Sequence, residues 1–134
     1  MDISVTTPVF GCSANDLVGI ARLAEDSNTY AILSPEVPPW SGLSNAHLLS
    51  NHTKETKIGT WISNIYLRHS VMCAAEAMTI QEASGNRMLL GLGVSHAPVN
   101  AALGVEMNDP IGSMRTYVNE IREHLDGSSK QTRL

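Results

Sequence analysis

The chain has 134 residues, 43% of them hydrophobic, which is enough for one domain with its own core and too few for two. Nine Lys and Arg against 13 Asp and Glu give a formal net charge of -4 with no basic stripe, which argues against a nucleic-acid partner. No apolar run reaches the length of about eighteen residues that a membrane span needs, and MDISVTTPVF lacks the pattern of a secretory leader. A cytoplasmic protein with no membrane partner is therefore expected, with Cys12 and Cys73 reduced and no metal-ligand spacing.

In chain order, Ile3 to Thr7 reads as a first strand. Ser13 with Asp16 forms a capping box, and Leu17, Ile20, Ala21 and Ala24 then recur at helical spacing. Tyr30 to Leu33 is a second strand, followed by a weaker helical pattern over Leu43 to His52 that is flanked by Pro38, Pro39 and Gly42. Lys57 to Ile62 is a third strand. Ser70 is the candidate cap of the next helix, with Val71, Ala74, Ala75 and Met78 on one face and Ser84-Gly85 closing it. Arg87 to Leu92 is a fourth strand, after which a loop from Gly93 to Gly112 leads into a helix near Ser113. That helix carries Met114, Val118, Ile121 and Leu125 inward and stops at Gly127; a polar tail, residues 128–134, follows the domain of residues 1–127.

The strand starts, near Ile3, Tyr30, Ile58 and Arg87, fall 27, 28 and 29 residues apart. That interval suits a strand plus a crossover helix, and the unalternating runs Ile32-Leu33 and Met88 to Leu90 look covered on both faces. The expected fold class is α/β, with a parallel sheet of about four βα units: a small open sheet, or half of a TIM-type (β/α) barrel.

Thr56 to Ser95, TKIGTWISNIYLRHSVMCAAEAMTIQEASGNRMLLGLGVS, resembles a block of the bacterial luciferase-like monooxygenase superfamily. There, a strand of the type IGT is followed by a loop ending in Arg-His, an alanine-rich helix, a Ser-Gly turn and a strand reading LGLG. Ile58-Gly59-Thr60, Arg68-His69, Ser84-Gly85, Arg87 and Gly91-Leu92-Gly93 match in order and spacing, most closely in the manner of the branch that uses the deazaflavin coenzyme F420. The resemblance implies a TIM-type barrel, of which this chain holds the N-terminal half, and redox chemistry on F420 or, alternatively, FMN at the C-terminal mouth.

Four features fall at that mouth. In Ser34-Pro35-Glu36-Val37-Pro38-Pro39-Trp40, Glu36 occupies the place where sugar-phosphate-oxidising relatives use a histidine, and Trp40 would wall the substrate pocket. Glu36 is thus a candidate proton acceptor, or else a glutamate in a proline-stiffened loop. Trp61-Ile62 matches the place where relatives carry a non-prolyl cis peptide against which the cofactor ring rests, although the family usually has a small residue at Trp61, which leaves a core anchor as the other reading. Asn64 matches a polar position that commonly reaches the cofactor. Val94, Ser95 and His96 follow Gly91 and Gly93, which would let backbone approach a planar ring, and His96 stands where the sugar-phosphate branch has its acidic proton donor. His96 would serve as the acid, or be a solvent-exposed loop histidine. Arg68 is expected to pin the loop before the third helix, and His47, His52 and His124 have no ligand spacing, so no metal site is expected.

Two functions follow. One is a luciferase-like oxidoreductase or monooxygenase moving a hydride between F420 or FMN and a small organic substrate, with Glu36, His96 and Trp40 as catalytic residues and Trp61, Ile62, Asn64, Val94 and Ser95 at the cofactor. The other is a noncatalytic half barrel that binds a partner chain. The uncovered sheet edges of four βα units imply a homodimer or a missing C-terminal half.

Overall fold

The computed structural model describes residues 2–127; the tail at 128–134 lies outside the described residues. Its elements are β1 (Ser4–Thr6), α1 (Ala14–Asp26), β2 (Ala31–Ser34), α2 (Gly42–Ser50), β3 (Lys57–Thr60), β4 (Ser63–Asn64), α3 (Ser70–Ala83), β5 (Met88–Leu89), β6 (Leu92–Gly93), α4 (Ala97–Ala102) and α5 (Pro110–Leu125). β1, β2, β3 and β5 form a parallel sheet in that order, and β4 pairs with β6 as its short parallel extension. The expected third strand therefore stops at Thr60, with β4 resuming beyond Trp61-Ile62, and the expected fourth strand is split at Leu90-Gly91.

Local chemistry sets each helix start. Ser13 Oγ accepts from the Asp16 amide at 3.2 Å while the Asp16 carboxylate accepts from the Ser13 amide at 2.8 Å, the expected capping box. Ser41 caps α2 through the Ser44 amide, and Asp109 caps α5 through the Gly112 amide, with Pro110 at the first helical position. The cap of α3 is His69, whose Nδ1 accepts from the Val71 amide, rather than Ser70. Ser70 lies inside the helix, buried, donating to Glu120 on α5 at 2.6 Å.

The core lies between the sheet and the helices. Ile32 and Ile58, adjacent in register, meet Leu17 and Ala21 of α1, Leu43, Ala46 and Leu49 of α2, and Cys73, Ala74 and Ile80 of α3. On α3 the buried face is Ser70, Cys73, Ala74, Ala77 and Ile80, so Ala75 and Met78 point outward, contrary to expectation. α5 starts at Pro110 and buries Tyr117, Ile121 and His124, leaving Leu125 exposed; the expected loop before it contains α4. Leu33, Met88, Leu89 and Leu90 stay half-buried, because one side of the sheet is left open among the described residues.

At the amino end of the sheet, Arg87 ties down the segment before β3. Its guanidinium donates to the carbonyls of Ser84, Ser50, Thr53 and Thr56 and to Thr53 Oγ1, spending all of its directions, and Glu25 accepts from the Glu55 and Thr56 amides. With that end clamped, the opposite end of the sheet, where the strands terminate in loops, is free to carry a site.

Candidate functional site

Three loops converge where the strands end. The Glu36 amide donates to the Ile62 carbonyl at 3.2 Å, and the Trp61 amide donates to the Ser34 carbonyl at 2.9 Å, stitching the segment after β3 to the loop after β2. On the other side, the Ser63 and Ile65 amides donate to the carbonyls of Gly91 and Gly93. A Cβ placed on Gly93 would lie 2.5 Å from the Ile62 side chain, and one on Gly91 would overlap the Thr60 carbonyl. These glycines therefore make room for the neighbouring strand. The Trp61-Ile62 peptide is cis, as is Pro38-Pro39.

Glu36 is the electrostatic centre of this convergence. Its side chain is only 3% exposed, and the carboxylate accepts from Arg68 Nη1 at 2.6 Å, Ser63 Oγ at 2.9 Å and the Asn64 amide at 2.8 Å. Arg68 also donates to Ser63 Oγ at 2.7 Å, and its Nε lies 3.4 Å from Glu76. Burial on its own would lower the Arg68 pKa; the charge and hydrogen bond of Glu36 outweigh it and hold the guanidinium above its ordinary value. Arg68 thus pins its loop, as the sequence suggests, and Tyr117 of α5 secures the same loop by donating to the Arg68 carbonyl at 3.1 Å. Burial pushes the Cys73 thiol beside Tyr117 upward, and the Tyr117 phenol rises chiefly for the same reason.

Asn64 is buried, and each end of its side-chain amide has a partner. Its Oδ1 accepts from the Tyr66 amide at 3.1 Å and its Nδ2 donates to Asn100 Oδ1 at 2.8 Å. Asn100 in turn donates to the Val94 carbonyl at 2.7 Å, so one chain of amides joins the loops after β4 and β6. Asn100 was not singled out by sequence reading, since its partner lies 36 positions away.

The other site residues are more open. Trp61 is 63% exposed, which excludes the core-anchor reading, and Trp40 is 42% exposed. Ile62, Val94 and Ser95 are half-buried, Ser95 with a φ of 59°. His96 is exposed at the start of α4, where its side chain makes no capping hydrogen bond. Among the described residues no group of three or more His, Cys, Asp or Glu is placed to hold a metal, and no helix is long and apolar enough to cross a membrane.

A family model described as luciferase-like monooxygenase matches residues 2–132. The chain belongs to that family. It is 30% identical over 84 residues to a 5,10-methylenetetrahydromethanopterin reductase of Methanolobus tindarius, covering 63% of this chain and 26% of the relative. A reductase of the same name from Archaeoglobus fulgidus is 28% identical over 109 residues, covering 81% and 33%. This chain therefore spans a third or less of the length of these relatives. Among solved structures, the coenzyme F420 dependent tetrahydromethanopterin reductase of Methanopyrus kandleri superposes with a TM-score of 0.78 at 20% identity over 92% of this chain and 39% of its own. The oxygenating constituent of the Pseudomonas putida 3,6-diketocamphane monooxygenase, in complex with FMN, gives the same TM-score and coverage at 11% identity. The fold is the parallel α/β sheet of these TIM-barrel proteins, with the barrel incomplete in this chain.

The described residues fit the ring of a flavin or deazaflavin: an exposed indole, the half-buried Ile62 and the Val94-Ser95 backbone gather at one strand end. They do not fit its phosphate, because the single Lys or Arg in the loops there is Arg68, already committed to Glu36.

Proposed function

We propose that the chain is the part of an F420- or FMN-dependent oxidoreductase that seats the cofactor ring and takes part in hydride transfer to or from a small organic substrate. The observation that carries this is the convergence of three strand ends on Ile62 in a luciferase-like chain: its carbonyl accepts from the Glu36 amide while its side chain fills the space over Gly93. Hydride exchange is the chemistry such a ring supplies when bound. Trp61, Ile62, Val94 and Ser95 would hold the ring, and Trp40 would wall the substrate. His96, exposed and without a capping bond, would exchange the proton at the substrate.

The resemblance gives Glu36 a proton-transfer role, and its geometry supports a different one. Three donors occupy a buried carboxylate, so Glu36 serves to position the segment after β3, and Asn64 likewise acts through Asn100 rather than by touching the ring. Titration of the purified protein with F420 and with FMN tests the reading: binding of one in the micromolar range is expected, and no binding of either at high micromolar concentration overturns it. His96→Ala should lower turnover far more than cofactor affinity.

A second reading is favoured by the sheet edges. Among the described residues β1 and β5 each pair on one side only, and Leu33 and Leu89 remain half-buried, so a subunit that works only against a partner chain, such as a second copy, also fits. Sedimentation would show a dimer of the 14.4 kDa chain in that case, and a monomer otherwise.

A further inference from the structure

The two edge strands of the sheet carry complementary features on the same face. In the parallel register Val5 of β1 stands beside Ile32, Ile32 beside Ile58, and Ile58 beside Met88 of β5. Residues paired in this way point to one side of a sheet, and Ile32 and Ile58 pack against the helices, so Val5 and Met88 lie on the helix-bearing face as well. The Tyr30 amide donates to the Ile3 carbonyl at 2.9 Å, which carries the pairing back to Ile3, two positions before Val5 and on its face. At the β1 edge this face projects: Ile3 is 56% and Val5 38% exposed. At the β5 edge it is hollow. Ala77, Met78 and Gln81 of α3, Met88 and Leu90 at β5, and Leu125 of α5 line a notch of about 280 Å³, with no charged group among them.

Edges that stay open to water are usually blunted by a lysine or a proline, yet Ser4-Val5-Thr6 and Met88-Leu89 contain neither. Arg87, next to β5, is turned away to the segment from Ser50 to Thr56. Strand count then selects what covers both edges. A closed βα barrel has eight parallel strands, and the four here superpose on the solved TIM-barrel proteins above, so they already follow the curve of the closed form. Two copies related by a two-fold axis bring β5 of each beside β1 of the other, which makes two identical seams and leaves no edge. A partner supplying one strand would close one edge and leave the other. On the opposite face, Leu33 and Leu89 share a row with Gly59 and are half-buried, as suits side chains that meet a second set across a barrel interior.

We infer that this chain joins a second copy of itself edge to edge, the β5 edge of each copy receiving the β1 edge of the other, with Ile3 seated in the notch beside α5. The inference rests on the second-copy reading above, gives it a seam, and is independent of the cofactor. Sedimentation of the purified chain should give a dimer. Ile3→Asp and Leu125→Asp, both at exposed positions, should each weaken it at least about tenfold while the far-ultraviolet circular dichroism holds. Cross-linking reads the geometry even where a variant folds poorly. In a Cys12→Ser background a short bismaleimide should join an Ile3→Cys chain to a Leu125→Cys chain, and neither to its own kind. A monomer at every concentration would overturn the second-copy reading and this seam with it. A dimer that neither substitution weakens, or one that cross-links Ile3→Cys to itself, would overturn the seam alone.

Discussion

The Glu36 carboxylate meets the Arg68 guanidinium at 2.6 Å across 32 positions of sequence, at a place where the carboxylate is almost wholly removed from water. A buried pair of this kind is a weak source of net stability and a strong source of dependence, because removing one partner leaves the other's charge uncompensated.

Arg68→Ala should therefore destabilise the protein by about 3 kcal/mol or more. Arg68→Lys should recover only part of that, since one ammonium cannot reach Glu36 and Ser63 in the same planar geometry. Urea unfolding of the variants gives the comparison, and the double variant Glu36→Gln with Arg68→Met should lose less than Arg68→Ala alone. Equal losses in all three would mean that the pair's charge is not what matters at this site.

The glycines offer a second test. A Cβ on Gly59 would overlap the Leu89 carbonyl and one on Gly91 the Thr60 carbonyl, so either Gly→Ala change must push two paired strands apart. Each should cost about 3 kcal/mol, at the upper end for overpacking. At Gly93 the obstacle is the Ile62 side chain, so Gly93→Ala should be milder and should be relieved by adding Ile62→Ala. Thermal melts of the four proteins check this; a Gly93→Ala defect that the second change does not relieve would place the obstruction elsewhere.

How much of this was legible in the sequence follows from distance along the chain. The Ser13–Asp16 capping box spans three positions and could be read directly, and the four strands announced themselves by β-branched or aliphatic runs at a nearly even interval. The buried face of α3 could not be read, because Met72, Ala74, Ala75, Ala77 and Met78 surround that helix and leave no single apolar stripe. The break of the fourth strand at Leu90-Gly91 was hidden in a continuous LLGLG run. Arg87, conspicuous as a motif residue, shows its purpose only when the segment from Ser50 to Thr56 folds back over it. Trp61 and Ile62 could be placed at a strand end from their motif, yet the partners of Glu36 and Asn64 are residues that no local pattern points to.

Acid should weaken the fold in a definite window. The Ser13 hydroxyl and amide hold the Asp16 carboxyl below its usual range; Glu25 is raised by burial but lowered more by the Glu55 and Thr56 amides. A carboxylate whose pKa is lower in the folded state contributes stability above its unfolded value, and loses it as pH falls through the folded one. Unfolding free energy should be flat from neutral pH down to about 5 and fall below about 4. Glu25→Gln should be less stable at neutral pH and shallower in its acid loss. An acid branch as steep as that of the native protein would remove Glu25 from this account.

The Asn64–Asn100 link joins the loop that carries Ile62 to the one that carries His96, so its loss should register both in stability and at the site. Asn100→Ala strands the buried Asn64 Nδ2 and removes the donor to the half-buried Val94 carbonyl, and should cost about 1 to 3 kcal/mol. Asn100→Asp should be no better, because the new carboxylate can accept from Asn64 but faces the Val94 carbonyl without a proton to give. Replacing both asparagines with leucine removes the Asn64–Asn100 pair but leaves the Val94 carbonyl and the Tyr66 amide without their side-chain partners, so it should cost at least as much stability as Asn100→Ala and likewise free the Val94–His96 segment. Amide hydrogen exchange at Ser95 and His96 reads that freedom independently of global unfolding: it should quicken in all three variants. Unchanged exchange in the double leucine variant would show that backbone bonds from Asn100 to His96, rather than the amide chain, hold the loop in place.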